Sequence, residues 1–457
     1  MNTTNEWAQE QFGSTWFGDP RLTRRAVRIA EQMARRPGDS LPKQMQDWAE
    51  QKASYRFMGN QAVSHEALCK AHWEQTRAQA RQSGQTVLMV QDITELDYTA
   101  HEGTQGLGPI GDHRGRGLLL HNTLAISVGE RRVIGLAYQQ VWVRGEVSHK
   151  KNESRAQRLK RQDRQSSRWG AAVEAIGKPP IGVQWVYVAD READIYDFFE
   201  QVQRQGAELC LRIIQNRRLA DWTPEESHYL IDELREQPEM GVHEVHVPER
   251  PGQAARQARL SLSWQEVRIR SPRRQPGPRR EMQLWALRAW EVDPPEGVEG
   301  LEWLLVTSVA IEQLSDGIER LEWYTYRWTV EEYHSCLKTG CQIERSQLRE
   351  GASLQRLLGF VAILAVRLLQ LRDLARSQGD RPAIEVIDPI LVQIIAQREK
   401  LDPQIIKVRT FFYAVAKVGG FPGRRSDGEP GWKRLWHGWL RLLDWAEGFH
   451  LASHLPP

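Results

Sequence analysis

The sequence predicts a mixed α/β protein with a helical segment at each end. Three observations carry that expectation. Two short apolar runs, Thr86–Val90 and Gln184–Ala189, each lead to an aspartate, Asp92 and Asp190, in the manner of buried strands that deliver an acid at their C-terminal ends. The stretches before Ser83 and after Gly340 carry helical periodicity. Between Pro248 and Pro294 the pattern turns to alternating segments, ARLSLSWQEVRIR and EMQLWALRAWEV, which read as a β-rich insertion.

A chain of 457 residues has room for about two to four domains and a large core. Charged residues make up 26% and apolar residues 40%, a balance that fits a soluble globular protein and argues against a disordered or membrane-embedded one. The longest apolar run, Leu357–Val366, is cut by Arg367 and reads as a buried helix. The start, MNTTNEWAQEQF, has no basic segment followed by an apolar one, so no secretory signal is expected. Cys69, Cys210, Cys336 and Cys341 show neither metal-ligand nor redox spacing and read as reduced thiols of a cytoplasmic protein. Net charge is only +3, so contact with nucleic acid would need segregated basic patches.

Asp19-Pro20 opens a helix, with the acid as N-cap and the proline at the first helical position. In RLTRRAVRIAEQMARR, Leu22, Ala26, Ile29 and Met33 form an apolar stripe. Arg21, Arg24, Arg28 and Arg35 lie opposite, a face suited to phosphates and also compatible with a solvated surface. Helices over Pro42–Gly59 and Ser64–Ser83 follow. Leu119–Val128 and Arg132–Trp142 read as a hairpin around Gly129-Glu130. Lys150–Gly177 is helical in pattern and rich in Arg and Lys up to Arg168; Arg268–Arg280 adds a basic loop. Leu209–Ile214 and Trp303–Thr307 are further strands. Leu354–Leu374 and Asp388–Gln397 read as helices. A last helix puts Trp432, Leu435, Trp436, Trp439, Leu442, Leu443 and Ala446 on one side, a core stripe or a packing surface for a partner subunit.

The most informative stretch is Tyr324–Lys338, YTYRWTVEEYHSCLK. Tyr324, Arg327, Glu331 and Lys338 are spaced i, i+3, i+7 and i+14. At about 3.6 residues per turn these offsets return to one side of a helix that Ser315 or Asp316 would cap and Gly340 would end. Taken alone, the pattern also fits a solvated face with a Glu–Arg pair. Asp92, Asp190 and Glu331 then form a candidate trio of buried carboxylates. Such acids repel one another unless a divalent cation neutralises them, and an all-oxygen site suits Mg²⁺ or Mn²⁺. Two such ions about 3.5–4 Å apart serve phosphoryl transfer. Glu95, Asp97, Glu192, Asp194 and Glu332 are nearby rivals. Glu332 is rotated about 100° off the Tyr–Arg–Lys face. No P-loop, nucleophile elbow or zinc spacing appears.

In order along the chain, QDITELDY, VADREADIYDF and Tyr324-x2-Arg327-x3-Glu331-x6-Lys338 resemble the motifs of bacterial insertion-sequence DDE transposases with the YREK signature, the group that excises DNA through a hairpin. FGDPRLTRRAV, ASYRFMGN, LEWLLVTS, VRLLQLR and GGFPGRRSDGEPGW extend the resemblance over nearly the whole chain. It implies an RNase H-like catalytic domain at about 76–350 with a β-strand insertion at about 215–300. It also implies an end-binding helical domain over 1–75 and a helical dimerisation region over 351–457. It further implies metal binding and catalysis by Asp92, Asp190 and Glu331, and phosphate contacts by Tyr324, Arg327 and Lys338. Trp303 would hold a flipped base. Arg21, Arg24 and Arg28 would contact the transposon end. Implied partners are two Mg²⁺ ions (or Mn²⁺), terminal inverted repeats and target DNA, and a second copy of the chain, with a place in the bacterial nucleoid. Ser335 departs from relatives that carry a basic residue there, which implies fewer contacts to the terminal strand. The alternatives are a transposase-derived DNA-binding protein without transposition activity and a stand-alone nuclease.

Overall fold

Strand β1 (Val87–Asp97) is shared between two compact units. Up to Asp92 it belongs with Ser148–Thr329; from Ile93 onward it belongs with Met1–Gln82, the residues to Val147, and Val330–Pro457. The computed structural model describes residues 4–145, 165–221, 223, 228–247, 256–272, 280–424 and 427–453. The basic stretch expected between Lys150 and Arg164 and the tip of the Arg268–Arg280 loop lie outside the described residues.

In the unit holding the N-terminus, α1 (Thr4–Phe12) precedes α2 (Pro20–Arg35). Asp19 caps α2 as expected, its Oδ1 accepting the Arg21 N–H at 2.8 Å. Ala26, Ile29 and Met33 are buried, while Arg21, Arg24, Arg28 and Arg35 face solvent. The helix expected over Pro42–Gly59 is broken into α3 (Leu41–Gln44) and α4 (Trp48–Met58). Asp47 is the reason: its carboxylate accepts the Glu50 N–H at 2.8 Å and starts a new helix. Helix α5 (His65–Gln82) lies against the hairpin of β3 (Gly115–Ser127) and β4 (Arg132–Trp142). The short β2 (Gly108–Ile110) pairs with Gly115–Gly117.

The second unit begins with the N-terminal part of β1. Parallel strands β5 (Trp185–Ala189) and β6 (Glu208–Arg212) follow it in the sheet, with α6 (Gln165–Ile176) and α7 (Tyr196–Arg204) in the connections. Helix α8 (Leu230–Glu236) leads to β7 (Gly241–Val247), β8 (Arg256–Arg270) and β9 (Glu281–Glu291), the expected β-rich insertion. Strand β10 (Glu302–Thr307) pairs antiparallel with both β6 and β9, so the sheet order in this unit is β1-β5-β6-β10-β9-β8-β7. β5 is buried along its whole length, as its apolar sequence requires.

The Tyr324–Lys338 stretch departs from expectation. In place of one helix there are α9 (Leu314–Thr325), α10 (Trp328–Ser335) and a wide π turn, Cys336–Gly340. The cap of α9 is Gln313, not Ser315 or Asp316; Asp316 is the third helical residue and reaches back to accept the Glu312 and Gln313 N–H groups at 3.0 and 3.1 Å. The break has a local cause. Thr325 turns its hydroxyl back onto the Glu322 carbonyl at 2.6 Å, and the N–H groups of Tyr326 and Arg327 bond three residues back rather than four. The four signature residues therefore do not share one helical face. Trp328 is 50% exposed.

Beyond Gly340, in the unit that also holds the N-terminus, α11 (Gly351–Ser377) is the central helix. By length and composition it could cross a membrane, but 83% of its most apolar window is buried inside the protein, as the buried-helix reading of Leu357–Val366 expects. It passes so close to α5 that a Cβ on Gly359 would stand 2.9 Å from that of Leu68. Helices α12 (Pro389–Glu399), α13 (Val408–Val418) and α14 (Trp432–Ser453) complete the unit. The tryptophan stripe of α14 is core. Trp436 and Trp439 are 5% and 6% exposed, and Trp439 stacks on Phe412 of α13 with ring centroids 6.1 Å apart. A Cβ on Gly438 would collide with the Val415 carbonyl, which fixes how closely α13 and α14 cross. Of the two readings that the sequence offered for the stripe, the structure shows the core one.

Candidate functional site

Parallel pairing between β1 and β5 aligns Met89 with Tyr187 and Val90 with Val188. Two residues further along each strand stand Asp92 and Asp190. β1 continues to Asp97, so Asp92 is not at a strand end as expected; it sits just past the last residue paired with β5. Asp190 directly follows β5 and starts a tight turn, its Oδ1 accepting the Glu192 N–H at 2.9 Å. Oδ2 takes no part in that bond. Both aspartates are partly exposed. Arg327 approaches Asp92, Nη1 to Oδ2, at 4.0 Å.

The rival acids have structural duties. Asp194 is fully buried and accepts the N–H groups of Ile214 and Gln215 at 2.9 and 2.8 Å while pairing with Arg217. In the other unit, Glu95 accepts the Gly111 N–H at 2.8 Å and Asp97 caps Thr99 at 2.8 Å. Glu332 pairs with the buried Arg372, which also holds Asp373 at 2.6 Å. Glu331 and Lys338 belong to that unit as well. Glu331 is half-buried on α10, and Lys338, in the π turn, lies 3.7 Å from Glu344. Among the described residues, no group of three or more His, Cys, Asp or Glu stands close enough to hold a metal ion.

A cavity of about 470 Å³ in the strand-rich unit gathers Trp303, Tyr324, Arg327 and Trp328 with Arg212 and Arg256. Trp303 meets Tyr324 edge-on at 6.1 Å. The Arg327 guanidinium lies 6.0 Å from the Tyr324 ring and 5.2 Å from that of Trp328. Burial raises the Tyr324 hydroxyl above its ordinary pKa, opposed by Arg327 and Arg212, so it stays protonated at neutral pH. Three cations and three aromatic rings face this hollow, but Glu299 and Glu302 also line it and Arg256 is paired with Glu291 at 2.7 Å, which leaves Arg327 with the rings as the part suited to a phosphate and an unstacked base. The sequence singled out Trp303, Tyr324 and Arg327. It gave no sign of Arg212 and Arg256, whose roles depend on strands β6 and β8 reaching the same hollow.

On α2 the arginines are exposed yet mostly engaged. Arg21 pairs with Asp19 at 2.8 Å, Arg28 approaches Glu50 at 3.6 Å, and Arg35 pairs with Glu31 at 2.6 Å. Arg24 has no ion pair among the described residues.

Two family models match the chain. A transposase DNA-binding domain covers residues 4–63, and a transposase DDE domain covers residues 179–367. Together the two matches support a DDE-type transposase assignment. The first match takes in α1 to α4 with Arg21, Arg24 and Arg28. The second takes in Asp190, Trp303, Tyr324, Arg327, Glu331 and Lys338, while Asp92 falls before its start. The mixed sheet flanked by helices agrees with the RNase H-like superfamily to which transposase DDE domains belong. Such domains imply DNA as partner and divalent-metal catalysis in general terms.

Proposed function

We propose that this DDE transposase excises and inserts a mobile element by phosphoryl transfer at Asp92, Asp190 and Glu331, through a DNA hairpin of the kind the YREK signature implies. The observation that supports the reading is the β1–β5 register, in which Val90 pairs with Val188 two residues before Asp92 and Asp190. Two partly exposed carboxylates so placed offer the all-oxygen donor set that Mg²⁺ or Mn²⁺ prefers, with Glu331 as the third ligand in this proposal. Bound there, two such ions would supply nucleophile activation and leaving-group stabilisation. The chain's own residues do the rest. Arg327, Tyr324 and Lys338 hold phosphates of the bent strand, and Trp303 stacks the base turned out of it. Such stacking is worth roughly 1–3 kcal/mol, enough to offset part of the cost of the hairpin. Arg21, Arg24 and Arg28 hold the transposon end, and two copies of the chain pair two ends. The RNase H-like core is then interrupted by β7, β8 and β9.

The test is incubation of the protein with the element's terminal inverted repeats and Mg²⁺, with nicking, hairpin formation and strand transfer followed on gels. Asp92→Asn, Asp190→Asn and Glu331→Gln should each abolish all three steps and leave end binding intact. Full cleavage by Glu331→Gln would overturn the assignment of the third acid.

A further inference from the structure

The unit that holds the N-terminus contains a cavity of about 400 Å³ among α1, α5, β4 and α11. That volume falls within the range of small-molecule sites. Its lining is of two kinds. Ile134, Ile363, Val366 and Val386 supply buried apolar side chains. Beside them stands Arg367 of α11, only 9% exposed, with its guanidinium 5.0 Å from the Trp7 ring of α1. Burial pushes the pKa of that guanidinium down to about 10, with Glu10 working the other way. It remains a cation at neutral pH, held in a place that disfavours its charge.

The amides of the lining are oriented by their neighbours. His72 accepts the Leu136 N–H at Nε2, 3.0 Å away, so its proton is on Nδ1. Gln11 must turn its side-chain oxygen to that proton, at 2.5 Å, and its NH₂ is thereby turned away from His72. Gln11 is 8% exposed, and among the described residues its NH₂ meets no acceptor. Two further amides are already engaged: Gln370 donates to the Ile134 carbonyl at 2.8 Å, and Gln75 to the Glu10 carbonyl at 2.6 Å. Arg381, an exposed member of the lining, is held by Glu385 at 3.2 Å and by the Gln378 oxygen at 3.0 Å. Arg367 and the Gln11 NH₂ supply the cavity with one charged and one neutral buried donor.

We propose that this cavity binds a small organic carboxylate, its oxygens on Arg367 and the Gln11 NH₂ and its apolar body against Ile134, Ile363, Val366 and Val386. Charge decides between a carboxylate and a phosphate. Glu10 and Glu385 are exposed members of the same lining, and a dianion would meet stronger repulsion from them than a monoanion does. The apolar walls, moreover, offer nothing to a third and a fourth oxygen. A ligand held there bridges α1, which lies in the segment matching the transposase DNA-binding domain, to the central helix α11. The site stands independently of the phosphoryl-transfer chemistry proposed above.

The test uses full-length protein with octanoate as the probe, followed by titration calorimetry and thermal melts, and with octan-1-ol and inorganic phosphate for comparison. Octanoate should bind and raise the melting temperature. Octan-1-ol keeps the apolar body without the charge, and phosphate keeps the charge without the body, so each should bind about 10-fold more weakly or not at all. Arg367→Met keeps an apolar stem against Trp7 and removes the charge. It should weaken octanoate binding by about 10-fold or more and leave octan-1-ol unchanged. Should that variant not fold, Leu374→Trp decides: it fills the half-buried edge of the cavity with the guanidinium in place and should abolish octanoate binding. Phosphate that binds as tightly as octanoate, a folded variant of either kind that binds octanoate like the wild type, or no octanoate binding at millimolar concentration would each overturn the proposal.

Discussion

Lowering the pH from 7 to 5 should destabilise the unit that holds α5 by about 4 kcal/mol, through two histidines. His65 and His72 are 7% and 6% exposed, and burial pushes the pKa of each down to about 4 from 6.5. His72 shows why. Its Nδ1 meets the Gln11 side-chain oxygen at 2.5 Å, so Nδ1 carries the proton. Its Nε2 accepts the Leu136 N–H at 3.0 Å. A second proton at Nε2 would face that N–H and break a strand-anchoring bond. In the unfolded chain the same ring takes up a proton below 6.5. The unfolded state therefore binds more protons, and stability falls as pH falls from 6.5 toward 4. At pH 5 the unfolded form gains about 1.5 units of protonation free energy per ring, at about 1.36 kcal/mol per unit, or roughly 2 kcal/mol for each. Two rings together take a large share of the roughly 5–15 kcal/mol that a folded domain has in hand. Urea unfolding at pH 7, 6 and 5 would measure it. His72→Gln keeps a donor and an acceptor and does not titrate, so it should remove about half of the pH dependence. A His72→Gln protein with the wild-type slope would refute the argument.

Much of this fold was legible because its signals are local. Asp19-Pro20 is a cap by itself, and the runs of β1 and β5 are apolar for lengths that only a buried strand explains. The hairpin of β3 and β4 announces itself by two runs around Gly129-Glu130. What could not be read depended on long-range packing. The α14 tryptophans look alike whether they cover a partner or α13. Only the positions of Phe411 and Phe412 on α13, a helix not expected from the sequence, decide between them. The break between α9 and α10 arises from one hydroxyl turning inward at Thr325, which the periodicity of YTYRWTVEEYHSCLK conceals. Among the acids, its place at the end of the Gln184–Ala189 run favoured Asp190 over Asp194. In the structure Asp194 is engaged by Arg217 and two backbone N–H groups. Glu332, which the spacing turns off the signature face, proves to serve Arg372.

Trp439→Ala should cost about 3–5 kcal/mol and unfold much of the α12–α14 region by thermal melt; a stable variant defective only in pairing DNA ends would restore the subunit-surface reading of the stripe. Arg24→Ala should reduce the salt slope of end binding by about 0.9 for each phosphate that the side chain neutralises. Arg21→Ala and Arg28→Ala should do less, because those side chains are already engaged by Asp19 and Glu50; equal changes at all three would count against that ranking. Glu332→Gln should lower stability by about 1–2 kcal/mol, since Arg372 retains Asp373, while the folded fraction still cleaves DNA; an inactive variant of undiminished stability would contradict this. Asp194→Asn is the sharpest case: one oxygen becomes an NH₂ that must face either the Ile214 and Gln215 N–H groups or the Arg217 guanidinium, donor against donor, and a buried cation is left without its counter-charge. The expected cost is about 3–5 kcal/mol in urea unfolding, and an Asp194→Asn protein of wild-type stability that cannot cut DNA would show that Asp194, not Asp190, is the catalytic acid after β5.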